Sequence, residues 1–470
     1  MLGDRLFVPP RGDAPGAATA SRPVTAVEAA RLAAVRRTDL RTGHAGVRVA
    51  IGTGAAAVHL TGWVDWRYPL VYVNRIGATA GPDDGLLQAV PGVVAVHPGR
   101  YRPPAGSPPV DPFPAPPVHA PATGWRVGPG VADPAVDTAL SLLLGLRSAA
   151  VDDAARIAAA GARFVGTDEI EGVPVDMFDG PAVLPAGTAP ATGTGAAAFV
   201  QGGRMRYWVD AHSRLLRAEM VVRPATLVRV DLTPADRTVP IAIELLGGAP
   251  VTPTRPTAGQ LAKLARMRSR DYASGGGEVT IAVPEGPNDL VSARGWLDWR
   301  NGAAYLTLRN NAVPGPDDIW RVDAGGVTYQ VPTGQPPALA PLAPPALPPP
   351  SIAWQYIAWA DRVGRDGPDD LDTLLRTLLA QAAPGIDGRA RLARTATRLR
   401  SDTVDGVPVT VYEIRARDET GVPAGLARMR YWVDGSGVLR RLEMRTAGGA
   451  YAYATVRPAA VPRLPDPLAG

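Results

Sequence analysis

The sequence predicts an α+β protein built from antiparallel sheet in two tandem copies, with helices packed on one face of each sheet. Three observations carry this. Motifs recur in order along the 470 residues. Strand-like alternation of apolar and polar residues opens and closes each copy. A leucine-rich helical stretch lies between those strand sets.

The recurrence is plain in the residues. Gly62-Trp63-Val64-Asp65-Trp66-Arg67 returns as Gly295-Trp296-Leu297-Asp298-Trp299-Arg300. Arg204-Met205-Arg206-Tyr207-Trp208-Val209-Asp210 returns as Arg428-Met429-Arg430-Tyr431-Trp432-Val433-Asp434. Gly81-Pro82-Asp83-Asp84 and Gly172-Val173-Pro174-Val175 return as Gly315-Pro316-Asp317-Asp318 and Gly406-Val407-Pro408-Val409. A tandem duplication explains a conserved order at a spacing of roughly 224–234 residues. It also divides the chain: a tail over 1–23, repeat 1 over 24–233, a linker over 234–255, repeat 2 over 256–460 and a tail over 461–470.

Each copy opens with a helix. Val24–Asp39 carries a Thr25-x-x-Glu28 capping-box pattern, and its partner Pro256–Asp271 has Thr257 at the cap. Alternation then marks strands at Val47, Val49 and Ile51, and at Val279, Ile281 and Val283. The next strand places Val58, Leu60, Val64 and Trp66 on one face, with Thr61, Trp63 and Asp65 on the other. Asn301-Gly302 is a hairpin signal, and Arg67-Tyr68-Pro69 occupies the same place in copy one. Further hairpins fall at Pro91-Gly92 and Gly325-Gly326. The Pro-rich stretches Pro98–Pro121 and Pro332–Pro350 sit at the same point of each copy, so they read as loops within a domain. Helices follow over Pro134–Leu146 and Val151–Ala160, then over Asp369–Gln381 and an Arg-rich segment up to Leu399. Closing strands are Val173–Phe178, Met205–Val209, Leu215–Val222 and Thr226–Asp231, matched by Val407–Ile414, Met429–Val433, Leu439–Arg445 and Ala450–Val456.

Composition narrows the chemistry. Apolar residues make up 46% of the chain, enough for packed cores. The net charge is +5, carried almost entirely by arginine, since Lys263 is the only lysine. That arginine is spread among aspartates rather than gathered with aromatics, which argues against nucleic acid. It leaves peripheral association with an anionic membrane surface as a secondary use. With no cysteine, disulfides, thiolate catalysis and cysteine metal sites are excluded. No apolar run approaches the length of a transmembrane helix, and Met1–Arg11 has no signal-peptide core.

The motifs that suggest catalysis fail on context. Gly52-Thr53-Gly54-Ala55-Ala56-Ala57 fits a dinucleotide fingerprint, but a strand follows it where a helix is required. Gly193-Thr194-Gly195 is weaker still. His44, His59, His97, His119 and His212 all lie in copy one and none has metal-ligand spacing. Asp83-Asp84 and Asp317-Asp318 follow Gly-Pro and read as turn residues. No cofactor and no metal site are expected. Trp63, Trp208, Trp296 and Trp432 fall on the polar strand faces, to stack on arginine or to meet a partner.

The Gly-Trp-x-Asp hairpin and the closing hairpins Tyr207–Met220 and Tyr431–Met444, each an aromatic-Val-Asp, a turn and then Leu-Arg, resemble the LolA-like lipoprotein-carrier superfamily. That group includes the actinobacterial LppX/LprG-type proteins and the RseB-like periplasmic regulators. The resemblance implies a curved antiparallel half-barrel in each copy, its concave face closed by helices, and a cavity for acyl chains. It implies an extracytoplasmic setting, although the chain shows no lipobox cysteine, and the doubling departs from the single unit. The leading expectation is a non-catalytic protein that shelters a lipid or other hydrophobic small molecule. Its wall would be Leu142, Leu143, Leu146, Met205 and Tyr207 in copy one, and Leu374, Leu375, Leu378, Met429 and Tyr431 in copy two. The alternative is an interaction or sensor module with filled cavities and a protein partner. An enzyme is the third class.

Overall fold

The computed structural model describes residues 21–77, 84–101, 111–131, 133–182, 203–222, 226–286, 289–310, 315–330, 342–348, 353–362, 369–419 and 422–464. Gly193-Thr194-Gly195, Gly81-Pro82-Asp83 and most of the second Pro-rich stretch lie outside them. The described strands are antiparallel and form two sheets, of twelve and eleven strands, accompanied by six α-helices, which is an α+β fold. Internal contacts divide the chain into two units. The first is Met1–Gly81, Arg102–Ala115 and Pro134–Val239; the second is Pro82–Tyr101, Pro116–Asp133 and Pro240–Gly470.

The first unit holds β1 (Arg22–Pro23), α1 (Ala26–Thr42), β2 (His44–Ile51), β3 (Val58–Asp65) and β4 (Leu70–Ile76). The strands β5 (Gly85–Val90), β6 (Val93–Pro98) and β7 (Arg126–Gly128) belong to the second unit by their contacts. The chain then returns to the first unit with α2 (Pro134–Gly145), α3 (Ala154–Ala159), β8 (Arg163–Ile170), β9 (Val173–Pro181), β10 (Arg204–Asp210), β11 (Leu215–Val222) and β12 (Thr226–Thr233). Its strands run β1-β8-β9-β10-β11-β12-β2-β3-β4.

In the second unit follow α4 (Ala258–Ser274), β13 (Gly276–Gly286), β14 (Asp289–Asp298), β15 (Ala303–Asn310), β16 (Asp318–Val322), β17 (Gly326–Gln330) and β18 (Gln355–Ala358). The chain closes with α5 (Asp370–Ala380), α6 (Arg389–Thr395), β19 (Ala396–Val404), β20 (Val407–Ile414), β21 (Met429–Asp434), β22 (Leu439–Arg445) and β23 (Tyr451–Pro458). The eleven-stranded sheet runs β18-β17-β16-β15-β14-β13-β23-β22-β21-β20-β19.

Local chemistry sets these elements. Thr25 and Glu28 form a full capping box at α1, with the Thr25 N–H donating to Glu28 Oε2 at 2.8 Å. Thr257 and Gln260 do the same at α4, the Thr257 N–H donating to Gln260 Oε1 at 2.8 Å. Gly43 and Gly275 end these helices at φ +89° and +83°, a region that glycine enters without a steric penalty. The glycine of each Gly-Trp-x-Asp motif answers a different need. A Cβ on Gly62 would stand 2.1 Å from the Tyr72 carbonyl oxygen, and one on Gly295 would stand 2.0 Å from that of Tyr305. Only glycine lets the neighbouring strand approach this closely.

The aspartate three residues on closes the hairpin. Asp65 Oδ1 accepts the Arg67 and Tyr68 N–H groups at 2.8 and 3.1 Å. Asp298 Oδ1 accepts those of Arg300 and Asn301 at 3.0 and 3.1 Å. The next tryptophan ties helix to sheet. Trp66 Nε1 donates to the Leu143 carbonyl at 2.9 Å, and Trp299 Nε1 to the Leu378 carbonyl at 3.0 Å. Both rings are buried. The change Trp299→Phe strands the Leu378 carbonyl and leaves a void, so it should lower unfolding stability by about 2–4 kcal/mol. A urea midpoint unmoved from wild type would show the bond to be dispensable.

Gly54–Ala56 makes a single 3₁₀ turn before β3, so the apparent dinucleotide motif is a hairpin loop with no helix to face a pyrophosphate. The Arg-rich segment expected to stay helical up to Leu399 instead ends at Thr395, and Leu399 lies buried in β19. Arginine and leucine favour helix locally, but pairing with β20, from Ala396 opposite Ile414 to Val404 opposite Val407, satisfies this backbone as strand. Among the described residues no helix is long and apolar enough to cross a membrane.

Candidate functional site

The leucines expected to line a cavity are core residues. Leu142, Leu143 and Leu146 are buried, as are Met205 and Tyr207 on β10. In the second unit Leu374, Leu375 and Leu378 lie in one apolar cluster with Leu264, Met267, Trp299, Val433 and Met444. Met429 and Tyr431 are partly buried and pack against that cluster. The structure therefore gathers the second predicted group in one apolar cluster and buries each residue of the first.

Behind this core lies an open cleft that periodicity did not reveal. It has a volume of about 580 Å³, within the roughly 300–1,000 Å³ typical of small-molecule sites. One wall is the outer side of α5, with Thr373, Arg376, Thr377, Leu379 and Ala380. The other is formed by Gly302 in the β14–β15 turn, Asp323 and Ala324 in the β16–β17 turn, and Trp359 after β18.

Backbone bonds fix this second wall. The Trp359 N–H donates to the Gly325 carbonyl at 3.1 Å, and its Nε1 donates to the Asp323 carbonyl at 2.9 Å. Asp323 Oδ1 accepts the Gly325 and Gly326 N–H groups at 2.8 and 3.3 Å, and its carboxylate pairs with Arg321. These bonds outweigh its partial burial and hold its pKa below the ordinary aspartate value. The Arg376 guanidinium stands 5.7 Å from the Trp359 ring centroid, in cation–π range. Trp359 and Arg376 carried no special sequence signal, because each becomes a wall only when turns far apart in the chain meet α5.

The opposite face of the second sheet holds a buried polar cluster. Arg400, Arg430, Arg441, Glu413 and Glu443 are all buried there. Arg441 pairs with Glu443 and with Glu244, each at 2.8 Å, and Arg430 stands 3.8 Å from Glu443. Arg441 also lies over the Tyr453 and Trp432 rings, at 4.0 and 5.4 Å. Trp432 Nε1 donates to Asp402 Oδ2 at 2.9 Å, as Trp208 Nε1 does to Asp168 Oδ2 at 2.9 Å. Arg217 covers Trp208 at 5.6 Å. Trp63, Trp208 and Trp432 are thus buried, and the last two stack on arginine.

The histidines are dispersed: His59 stacks on Phe113 at 3.6 Å, while His97 meets Trp125 edge-on at 5.4 Å. No group of three or more potential metal ligands occurs among the described residues.

No family model matches the chain, and no curated protein matches it in sequence. Solved structures similar to part of it include the following three. The lipoprotein LppX of Mycobacterium tuberculosis is 12% identical, with a TM-score of 0.25, over 44% of this chain and 96% of that one. LprF of Mycobacterium bovis is 12% identical, with a TM-score of 0.21, over 46% and 97%. A DUF1329 family protein of Desulfovibrio piger is 11% identical, with a TM-score of 0.20, over 45% and 92%.

Proposed function

We propose that the chain is a non-catalytic binding protein for an apolar ligand such as a lipid or a single acyl chain, built as two tandem LolA-like half-barrels. The cleft of about 580 Å³ beside α5, where Trp359, Leu379 and Ala380 offer an apolar surface, carries this reading. Burial against those groups drives binding, at roughly 25 cal/mol per Å² of apolar surface before ordering costs. A longer ligand that displaces α5 from the sheet would reach Leu374, Leu375, Leu378, Met429 and Tyr431. The matching surface in the first half-barrel is Leu142, Leu143, Leu146, Met205 and Tyr207.

Two measurements test the proposal. Native mass spectrometry of gently purified protein should show co-purifying acyl lipid. Calorimetric titration of the delipidated protein with decyl-chain amphiphiles below their micelle concentrations should give saturable binding. Protein that purifies clean and takes up no such amphiphile would overturn the reading. The second reading, an interaction module of the same fold with filled cores, draws on the close packing of Leu374, Leu375 and Leu378, each at most 1% exposed. It predicts protein capture without lipid uptake.

A further inference from the structure

The cleft beside α5 has an electrostatic asymmetry that specifies its ligand more closely. Two charged side chains line it, Asp323 and Arg376. Asp323 is already satisfied by Arg321 and by two backbone N–H groups. Asp372, the acid nearest along α5, is held by Arg362, whose Nε and Nη2 both donate at 2.8 Å. Arg376 makes no ion pair among the described residues; it lies over the Trp359 ring and acts on the Asp372 carboxylate only at longer range. Among the described residues the cleft therefore presents a guanidinium with no direct ion pair beside an apolar wall.

The scaffold does not require that cation. Arg376 lies two residues before Leu378, whose carbonyl receives the Trp299 bond. Two residues before Leu143, whose carbonyl receives the matching Trp66 bond, the chain has Ser141. Helix and sheet join in the same way there without an arginine.

Building on the proposed binding function, we infer that this cleft selects anionic single-chain amphiphiles. Arg376 would hold the carboxylate or phosphate headgroup, and Trp359, Leu379 and Ala380 would contact the chain. A guanidinium suits either oxyanion because its planar fork can donate two parallel N–H···O bonds. The Trp359 face beneath it limits its movement and lowers the entropy lost on binding.

The test compares decyl phosphate with 1-decanol, both below their micelle concentrations, on wild-type protein, Arg376→Gln and Arg376→Lys. Wild type should bind decyl phosphate at least about tenfold more tightly than decanol, and added salt should erode the difference. Arg376→Gln should bring decyl phosphate affinity down to that of decanol on the same variant, and Arg376→Lys should retain part of the preference. Unchanged thermal midpoints would establish that the variants are folded. Equal binding of the two amphiphiles by wild type, or a preference that survives Arg376→Gln, overturns the headgroup assignment and leaves the binding function standing. Failure of wild type to bind either amphiphile overturns both.

Discussion

Replacing Glu443 by leucine should lower stability by about 3–5 kcal/mol, the usual cost of removing one partner from a buried ion pair. Glu443 is fully buried on β22, between Arg441 at 2.8 Å and Arg430 at 3.8 Å. The arginines cannot follow a lost partner into water. Arg430 is tied to the carbonyls of Gly247 and Gly425 at 3.2 and 3.1 Å and to the Tyr451 hydroxyl at 2.8 Å. Arg441 is pinned between the rings of Tyr453 and Trp432, and its remaining direct ion pair among the described residues is with Glu244, which is half exposed. The variant buries a guanidinium with weakened compensation. Urea denaturation should show the loss, and the thermal midpoint should fall by roughly 10 °C for a unit of this size. A companion change, Arg441→Leu on top of Glu443→Leu, should recover part of the loss, because a buried ion pair contributes little beyond an apolar pair of similar volume. A Glu443→Leu midpoint within about 2 °C of wild type would remove the pair from any account of stability.

Asp271→Asn should stabilise the protein at alkaline pH and leave it unchanged near pH 4. Asp271 is fully buried at the end of α4. Its Oδ1 accepts the Leu439 N–H at 2.8 Å, and Gln381 Nε2 stands 3.4 Å from Oδ2. Burial is the dominant influence and pushes the carboxyl up to about 7. The sign follows from comparing the two states. Below the unfolded value of about 3.9 both are protonated, and the group has no effect on stability. From there to about 7 the unfolded chain ionises while the folded one keeps its proton, so stability falls as pH rises. Above that range both are ionised and the full penalty, on the order of 4 kcal/mol, persists. Asparagine can keep the bond from Leu439 without the charge. The advantage of Asp271→Asn should therefore grow between pH 4 and pH 8, and a difference independent of pH would sink the argument. Asp39 is placed the same way, raised by burial and bonded by the Leu215 N–H, so Asp39→Asn should show the same trend.

Much of the fold was legible because its signals are local. The capping-box pattern at Thr25 and the cap residue Thr257 start helices, and Asn301-Gly302 turns a hairpin. Alternation separates Met205, Tyr207 and Val209 from Arg206 and Trp208. The strand that follows the Gly52 loop also exposed it as a false nucleotide motif. Other elements were not legible. Arg163–Ile170 showed no clean alternation, yet forms β8 because β9 pairs with it. Ala396–Val404 has helix-forming residues and is strand because β20 offers a ladder.

The candidate site divides along the same line. Leu374, Leu375 and Leu378 are visible as an apolar stripe, but an apolar stripe is the same whether it meets side chains or ligand. Only tertiary structure shows that it meets side chains, and that the open volume lies behind it. Trp359 and Arg376 become one surface because the β14–β15 and β16–β17 turns converge on α5, a closure with no periodicity in the chain. By itself the sequence determined what depends on near neighbours: caps, turns, strand faces and the doubled order of motifs. The structure decided what depends on distant pairing, namely the buried arginine–glutamate cluster, the raised carboxyl of Asp271 and the cleft with Arg376 set over Trp359. Those properties arise from burial and charge compensation, which no residue possesses until the chain has folded around it.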